Sequence, residues 1–311
     1  MKYTVIGGGG FIGSHLVDHL LDEGHEVVVF DDFSTGDVDN VNNKAHLFRI
    51  NISFMQTQLA DKLSQYKEGI SAAAGSDGVF HLAAHPRVQP SIEDPLGSNK
   101  ANVDSTLAAL EFSKNINAKR FVYSASSSAY GDAEVFPTPE DHATNPQSPY
   151  GLQKLIGEQY CKVYSKCYGI DTVSLRYFNV YGSRCKMNGG YSLVLGVFID
   201  QKLHGRPLTI TGDGEQRRDF TFVGDVARAN LLAMQCEQKF SGDVFNIGNG
   251  DNRSINELAE LIGGEKEHID ARQEPTKTLA DISKAKEILG WEPTMDIEQW
   301  IPKFKKEQGI S

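Results

Sequence analysis

Tyr150 and Lys154 stand four residues apart in SPYGLQK, residues 148–154, so on a helix they project from one face. A phenol with a pKa near ~10 is a poor base at neutral pH. A neighbouring ammonium favours the phenolate and lowers that value. A tyrosine so placed can act as a general base toward a hydroxyl group. Upstream, RFVYSASSSAYG (120–131) ends an apolar run in small hydroxyl residues, any of which could hydrogen-bond a reacting oxygen. Alone, each signal has an ordinary reading: Y-x-x-x-K as a surface pair, the serines as a turn that solvates a strand end.

A second signal lies near the N-terminus. VIGGGGFIGSHL (5–16) runs from an apolar segment straight into Gly7, Gly10 and Gly13 and then a helical pattern. Glycines at that spacing allow a tight turn, close approach of a pyrophosphate and close packing of helix on strand. The helix N-terminus adds free N–H groups and positive dipole character. A plain turn is the bland alternative. The next apolar run, VVVFDDFSTG, ends in Asp31, about 20 residues on, where an acid can hydrogen-bond the ribose 2′-hydroxyl of NAD. NADP would favour a basic residue there. The combination points to a dinucleotide, NAD rather than NADP, and makes Tyr150 a candidate base for removing a hydroxyl proton during hydride transfer.

The rest of the chain must position these groups. Short apolar runs recur at 3–7, 26–31, 78–83, 120–125, 171–178 and 243–248, separated by stretches long enough for helices. Continuous apolar strands alternating with helices predict a doubly wound α/β fold, a parallel sheet covered on both faces. Helices are expected over 11–23, capped by Gly24, and over 150–168, ended by Gly169; in the latter Leu152, Leu155, Ile156, Tyr160, Val163 and Cys167 recur at helical spacing. After about residue 182 glycine and charge increase. This predicts residues 1–182 as the dinucleotide-binding domain and 183–311 as mainly a smaller lobe, with segments such as 220–250 returning to the first. Loops are expected at 186–191 and 249–254.

The totals exclude several classes. The chain has 311 residues, 40% of them hydrophobic, enough for one large domain or two smaller ones. Its formal charge is −10, from 31 basic and 41 acidic residues, without a basic stripe suited to nucleic acid. Its four cysteines, Cys161, Cys167, Cys185 and Cys236, form no Cys-x-x-Cys pair, so neither metal site nor disulfide framework is expected. The histidines, His85 among them, lack metal-ligand spacing and read as structural or rim residues. No stretch approaches the roughly 18 apolar residues of a membrane helix, and MKYTVIGGGG does not read as a signal peptide. A cytoplasmic protein is the expectation.

Taken in order, GGGGFIGSHL, VVVFDDFSTG, VFHLAAH, ANVDST, FVYSASSSAYG, SPYGLQK, LRYFNVYG, GDGEQRRDFTFVGDV, FNIGNG and ADISKAKEILGWEP resemble the extended short-chain dehydrogenase/reductases, specifically the nucleotide-sugar epimerases and dehydratases. The resemblance runs nearly end to end. It implies a Rossmann-type domain binding NAD, a C-terminal lobe gripping a nucleoside diphosphate sugar, and a homodimer pairing helices near 98–115 and 150–168. It places Gly7, Gly10, Phe11, Ile12 and Gly13 on the pyrophosphate. Asp31, with Asp32, Ser34, Thr35 and Gly36 nearby, would face the adenosine ribose, and Asn51 and Ile52 the adenine. Leu82, Ala83 and Ala84 would line the cofactor, with Asn102 and Ser124 against it and Tyr177 and Phe178 near the nicotinamide. Ser126 would be the catalytic hydroxyl, Tyr150 the base and Lys154 its electrostatic partner. Ser127, Ser128 and Asn179 would meet the substrate, Val194, Thr209 and Thr211 the nucleotide, and Arg218 and Arg272 the diphosphate.

Departures from the family pattern sharpen the expectation. Asn51 stands where an acid is usual, ARQEP lacks the glycine usually found after the second arginine, and Gly224 replaces a frequent acid. Dehydratases of the family resemble one another in an Asp-Glu pair after the catalytic hydroxyl, and decarboxylases usually carry a glutamate there. This chain has Ser127 and Ser128, which supply no carboxylate. The expected reaction is therefore 4-epimerisation of a UDP-sugar, the glucose/galactose pair, the N-acetylhexosamine pair or both. Another nucleotide sugar is the alternative inside the class, and a non-catalytic sensing module the alternative outside it.

Overall fold

The computed structural model describes residues 1–54, 63–185, 193–271 and 275–309. Its strands are β1 (Lys2–Ile6), β2 (Glu26–Asp31), β3 (His46–Arg49), β4 (Gly78–His81), β5 (Arg120–Ser126), β6 (Asp171–Tyr177), β7 (Asn179–Tyr181), β8 (Leu208–Thr211), β9 (Arg217–Arg218), β10 (Phe220–Phe222), β11 (Asp243–Ile247), β12 (Arg253–Ser254) and β13 (Lys266–Ile269). Its helices are α1 (Phe11–Asp22), α2 (Leu63–Ala73), α3 (Val88–Glu93), α4 (Pro95–Asn99), α5 (Ser105–Asn115), α6 (Pro149–Tyr168), α7 (Val194–Leu203), α8 (Val223–Gln235), α9 (Ile255–Ile262), α10 (Ser283–Leu289) and α11 (Ile297–Glu307).

Seven parallel strands form the main sheet in the order β11-β6-β5-β4-β1-β2-β3. The doubly wound α/β fold expected from alternating apolar runs is present. The strand order reverses between β1 and β4, and ligands bind such sheets in the crevice that opens there at the strand C-termini. Both faces are covered. Tyr3, Val5, Val29 and Phe80 pack on one side with Leu16 and Val17 of α1 and Val226 of α8. Ile6, Val28, Phe30, Phe121 and Tyr123 pack on the other with Ala109 and Phe112 of α5 and Cys161 and Tyr164 of α6. Each fully buried side chain of this size contributes about 1.5–3 kcal/mol. A third core joins Tyr181, Phe198, Ile210, Leu258 and Trp300, and it belongs to the C-terminal part of the chain.

Strand β3 has no counterpart in the predicted pattern. It is an edge strand, HLFR, with no fully buried residue, so no continuous apolar run announces it. Likewise β12 interrupts the loop expected at 249–254 by pairing with β9. The loop expected at 186–191 lies outside the described residues.

Helix α6 starts where Ser148 accepts a hydrogen bond from the Gly151 N–H and ends where Gly169 takes a left-handed conformation. Its inner face is not the apolar stripe seen in the sequence. Gly151, Gln153, Lys154, Gly157, Glu158, Cys161 and Tyr164 are buried, whereas Leu152 and Val163 are exposed. Gly157 sits directly on the Tyr123 ring, where a Cβ would meet the phenol oxygen at 2.2 Å. That close approach lays α6 on β5. The Lys154 ammonium donates to the Ser124 carbonyl at 2.8 Å, and Glu158 forms a fully buried bidentate pair with Arg176 of β6.

Candidate active site

A cleft of about 790 Å³ opens along the C-terminal ends of β2, β1, β4 and β5 and reaches β6 and β7. At one end the chain turns from β1 into α1. Gly7 has φ +91°, and a Cβ on it would meet the Ala83 nitrogen at 2.4 Å; a Cβ on Gly13 would meet the Gly7 carbonyl oxygen at 2.0 Å. Both positions therefore require glycine. Gly10, the helix N-cap, offers no side-chain cap, and a Cβ there would find only the Gly7 oxygen, at 3.4 Å. The start of α1 is left as backbone N–H groups lining the cleft at Phe11, Ile12 and Gly13. This is a cradle for an anion.

Asp31 closes the loop from the next strand. Its two carboxylate oxygens accept the N–H groups of Gly9 and Phe33, each at 2.7 Å. Burial raises its pKa, and these backbone donors oppose the rise. Asp31 thus ties the glycine loop in place while lining the cleft beside Asp32, Ser34, Thr35 and Gly36. Asp32 accepts the Asn51 amide at 2.6 Å and the Ser34 N–H at 2.9 Å. This gives the unusual Asn51 a physical reason: an acid there would face the Asp32 carboxylate, whereas an amide donates to it. A dinucleotide fits this end through the glycine cradle, the α1 N-terminus and the carboxyl groups of Asp31 and Asp32.

At the other end, three strands from β2, β5 finishes in the serines. The Ser126 hydroxyl donates to Ser128 Oγ at 3.1 Å and accepts the Ser128 N–H at 3.2 Å, capping the turn Ser127–Ala129. Ser124, Ser126, Ser127, Ser128, Tyr150, Lys154, Tyr177, Phe178 and Asn179 all line the cleft, with Leu82, Ala83 and Ala84 between the two ends and Ile52 beside Asn51. The Tyr177 hydroxyl is held by Ser124 Oγ at 3.0 Å and Asn230 Oδ1 at 2.9 Å. The Asn179 amide nitrogen is buried with no hydrogen-bond partner among the described residues, a donor available to a ligand.

The electrostatics differ from the expectation that Lys154 lowers the Tyr150 pKa. Burial pushes the Tyr150 phenol up, and what opposes it is a hydrogen bond with Ser126 and the positive charge of Arg87. Burial also pulls the Lys154 ammonium down, to about 8, while Glu158 one turn on pulls it back up.

Several expected site residues lie elsewhere. Asn102 does not line the cleft; it sits in a π-helical turn (Lys100–Asp104), accepts the His85 N–H at 2.7 Å and donates to the His85 carbonyl at 3.1 Å. It shapes the segment after β4 from behind. Val194, Thr209, Thr211 and Arg218 also stand away from the cleft wall. Val194 packs on the C-terminal core. The Thr209 hydroxyl and N–H are bonded to Gln201, the Thr211 carbonyl accepts from Gln216, and Arg218 donates to the Arg217 carbonyl. Arg272 lies outside the described residues. Conversely, His85, Arg87, Lys100, Arg184 and Cys185 line the cleft although the sequence reading assigned none of them to it. The available signal was their place: His85 and Arg87 directly follow the C-terminal end of β4, beside the switch point.

Residues 3–248 match the model of the NAD dependent epimerase/dehydratase family. A UDP-glucose 4-epimerase of Mycolicibacterium smegmatis is 34% identical over 314 residues, covering 97% of each chain. Among solved structures, the Thermotoga maritima UDP-glucose 4-epimerase with UDP-glucose is 37% identical with a TM-score of 0.88, over 99% of this chain and 100% of that one. The Bacillus cereus UDP-glucuronic acid 4-epimerase, in complex with UDP-glucuronic acid and NAD, is 33% identical with a TM-score of 0.86, over 99% and 100%.

Proposed function

The chain belongs to the NAD dependent epimerase/dehydratase family, and we propose that it inverts C4 of a UDP-bound hexose through a 4-keto intermediate. The observation that carries this is the make-up of the cleft wall. Among the described residues its carboxyl groups are Asp31, Asp32 and Asp37, all at the glycine-loop end, and the serine end offers Ser126, Ser127 and Ser128. The dehydratases' extra acid/base is a carboxyl pair beside the serine, and among the described residues no carboxyl group stands at that end. Moving a single proton at O4 asks only for Tyr150.

Bound NAD supplies a hydride acceptor and donor for one carbon. Tyr150 removes the proton from the 4-hydroxyl and returns it after the keto sugar has turned. Ser126 donates a hydrogen bond to the same oxygen. Lys154, anchored on the Ser124 carbonyl, keeps a positive charge on that side of the cleft. The relatives named above support UDP as the nucleotide; glucose/galactose and N-acetylhexosamine pairs remain the two sugar classes of this reading. In the reading, Asn179 meets the nucleotide sugar from the cleft wall, Val194, Thr209, Thr211, Arg218 and Arg272 are its candidate partners on the 183–311 lobe, and Asn102 supports the cofactor through His85.

The same reading makes the protein a cytoplasmic homodimer. Ile92, Leu96, Leu152 and Val163, on α3, α4 and α6, are exposed, Leu96 by 83%, an apolar surface suited to helix pairing between two copies. Among the described residues no helix is long and apolar enough to cross a membrane. Light scattering should give twice the chain mass, and Leu152→Glu should halve it. The reaction itself is tested by Tyr150→Phe, which should lose about 10²–10⁴ in kcat, the usual worth of a general base, with NAD still bound. Full activity in that variant overturns the reading.

A further inference from the structure

Arg87 is held in a backbone conformation that few non-glycine residues adopt. Its φ of +89° with ψ of 145° lies outside the left-handed helical region, whereas Phe33, Asn117, Arg184 and Ser241 fall between 54° and 61° in φ. Such a conformation costs about 1–3 kcal/mol and persists where the surroundings enforce it, commonly at functional sites. The enforcing element here is α3. Its Ser91 hydroxyl accepts the Tyr150 N–H at 3.0 Å and donates to the Val88 carbonyl at 2.6 Å. The residue next to Arg87 is thereby tied to the backbone of Tyr150, and the two side chains line the same cleft.

We propose that Arg87 is a positioning residue for the epimerisation set out above, its guanidinium a second fixed cation that stabilises the Tyr150 phenolate alongside Lys154. The proposal rests on that reading of the reaction for its purpose, not for its chemistry. Lys154, anchored on the Ser124 carbonyl, carries its charge at neutral pH but loses it as pH rises through about 8, because burial favours its neutral form. Burial lowers the Arg87 guanidinium as well, but from 12.5 it stays charged where an amine does not. The groups acting on Tyr150 are Ser126 from β5, Tyr123 of the same strand and Arg87, which precedes α3; Lys154, His85, Arg184 and Cys185 line the same cleft, with Cys185 acting on Arg87. The carboxyl groups of Asp31, Asp32 and Asp37 lie at its far end.

The test uses Arg87→Gly and Arg87→Lys. Glycine accepts the backbone conformation without strain, so the first variant removes the charge and should match or exceed the parent in thermal stability. The readout is the ultraviolet absorbance of tyrosinate, titrated with and without NAD and corrected with the same titration of Tyr150→Phe. Loss of the opposing charge should move the Tyr150 titration up, by about one pH unit, and Arg87→Lys should restore most of it. The acid limb of kcat/KM should move up in parallel, leaving activity at neutral pH about tenfold lower. An unmoved absorbance titration in Arg87→Gly overturns the proposal, including where KM rises, since Arg87 would then be a substrate-binding group. If the parent protein epimerises nothing, the reaction reading fails while the absorbance titration still decides the role of Arg87.

Discussion

The exchange of partners at the adenosine end offers a quantitative test. Asn51 Nδ2 donates to the Asp32 carboxylate at 2.6 Å, and both side chains also serve the turn: Asp32 accepts the Ser34 N–H, and Asn51 Oδ1 accepts the Ser53 N–H at 3.0 Å. Asn51→Asp keeps both turn contacts but sets carboxylate against carboxylate. A hydrogen bond to a charged group is worth about 1.5–3 kcal/mol. Both residues are half-buried, which places the loss at the low end, about 1.5 kcal/mol, by solvent screening. If the loss is expressed in dinucleotide binding, the Kd for NAD rises about tenfold. The double exchange Asp32→Asn with Asn51→Asp restores a donor opposite a carboxylate and should recover part of that affinity, the remainder being lost with the Asp32 carboxyl in the cleft wall. Calorimetric titration with NAD, with a denaturant melt as control, reads both. An Asn51→Asp variant that binds like the parent, or a double variant no better than the single one, would refute the reasoning.

Gly13→Ala should abolish NAD binding while leaving the sheet folded, because its Cβ would fall 2.0 Å from the Gly7 carbonyl oxygen; calorimetry and circular dichroism separate the two effects. Lys154 has its pKa lowered to about 8 by burial, so its charge is about nine-tenths present at pH 7 and about one-tenth at pH 9. The kcat/KM profile should therefore fall as pH rises through about 8. Glu158 raises that value, so replacing the Glu158–Arg176 pair by glutamine and methionine should move the fall to lower pH. Both partners are exchanged together because removing Glu158 alone strands a buried guanidinium at about 3–5 kcal/mol. A fall that stays at the same pH refutes the link.

What was legible in the sequence follows the physics of each element. Strands β1, β2, β5 and β6 are buried on both faces and so read as short segments rich in apolar and β-branched residues, though β6 carries buried Thr172, Ser174 and Arg176 among them. The glycine loop, Tyr150, Lys154 and the serine turn were legible because their chemistry demands particular residue types at particular spacing. The inner face of α6 was not, since what it buries is Gly157 against Tyr123 and the Glu158–Arg176 pair, partners a hydropathy pattern scores as solvent-facing. Arg87 was invisible for another reason: nothing in PRVQPS states that an arginine will be held at φ +89°. Asn102 was read as lying against the cofactor, whereas its side chain is set one layer back, on the backbone of His85.

Proton NMR of the purified protein with UDP-galactose, UDP-N-acetylgalactosamine, UDP-glucuronate and dTDP-glucose, one sugar per tube, tests the central claim most directly. The account predicts new anomeric signals with a UDP-sugar that settle to a mixture of two C4 epimers, with no net consumption of NAD. A 4-keto-6-deoxy product would contradict it, because the account rests on the lack, among the described residues, of a carboxyl group at the serine end of the cleft.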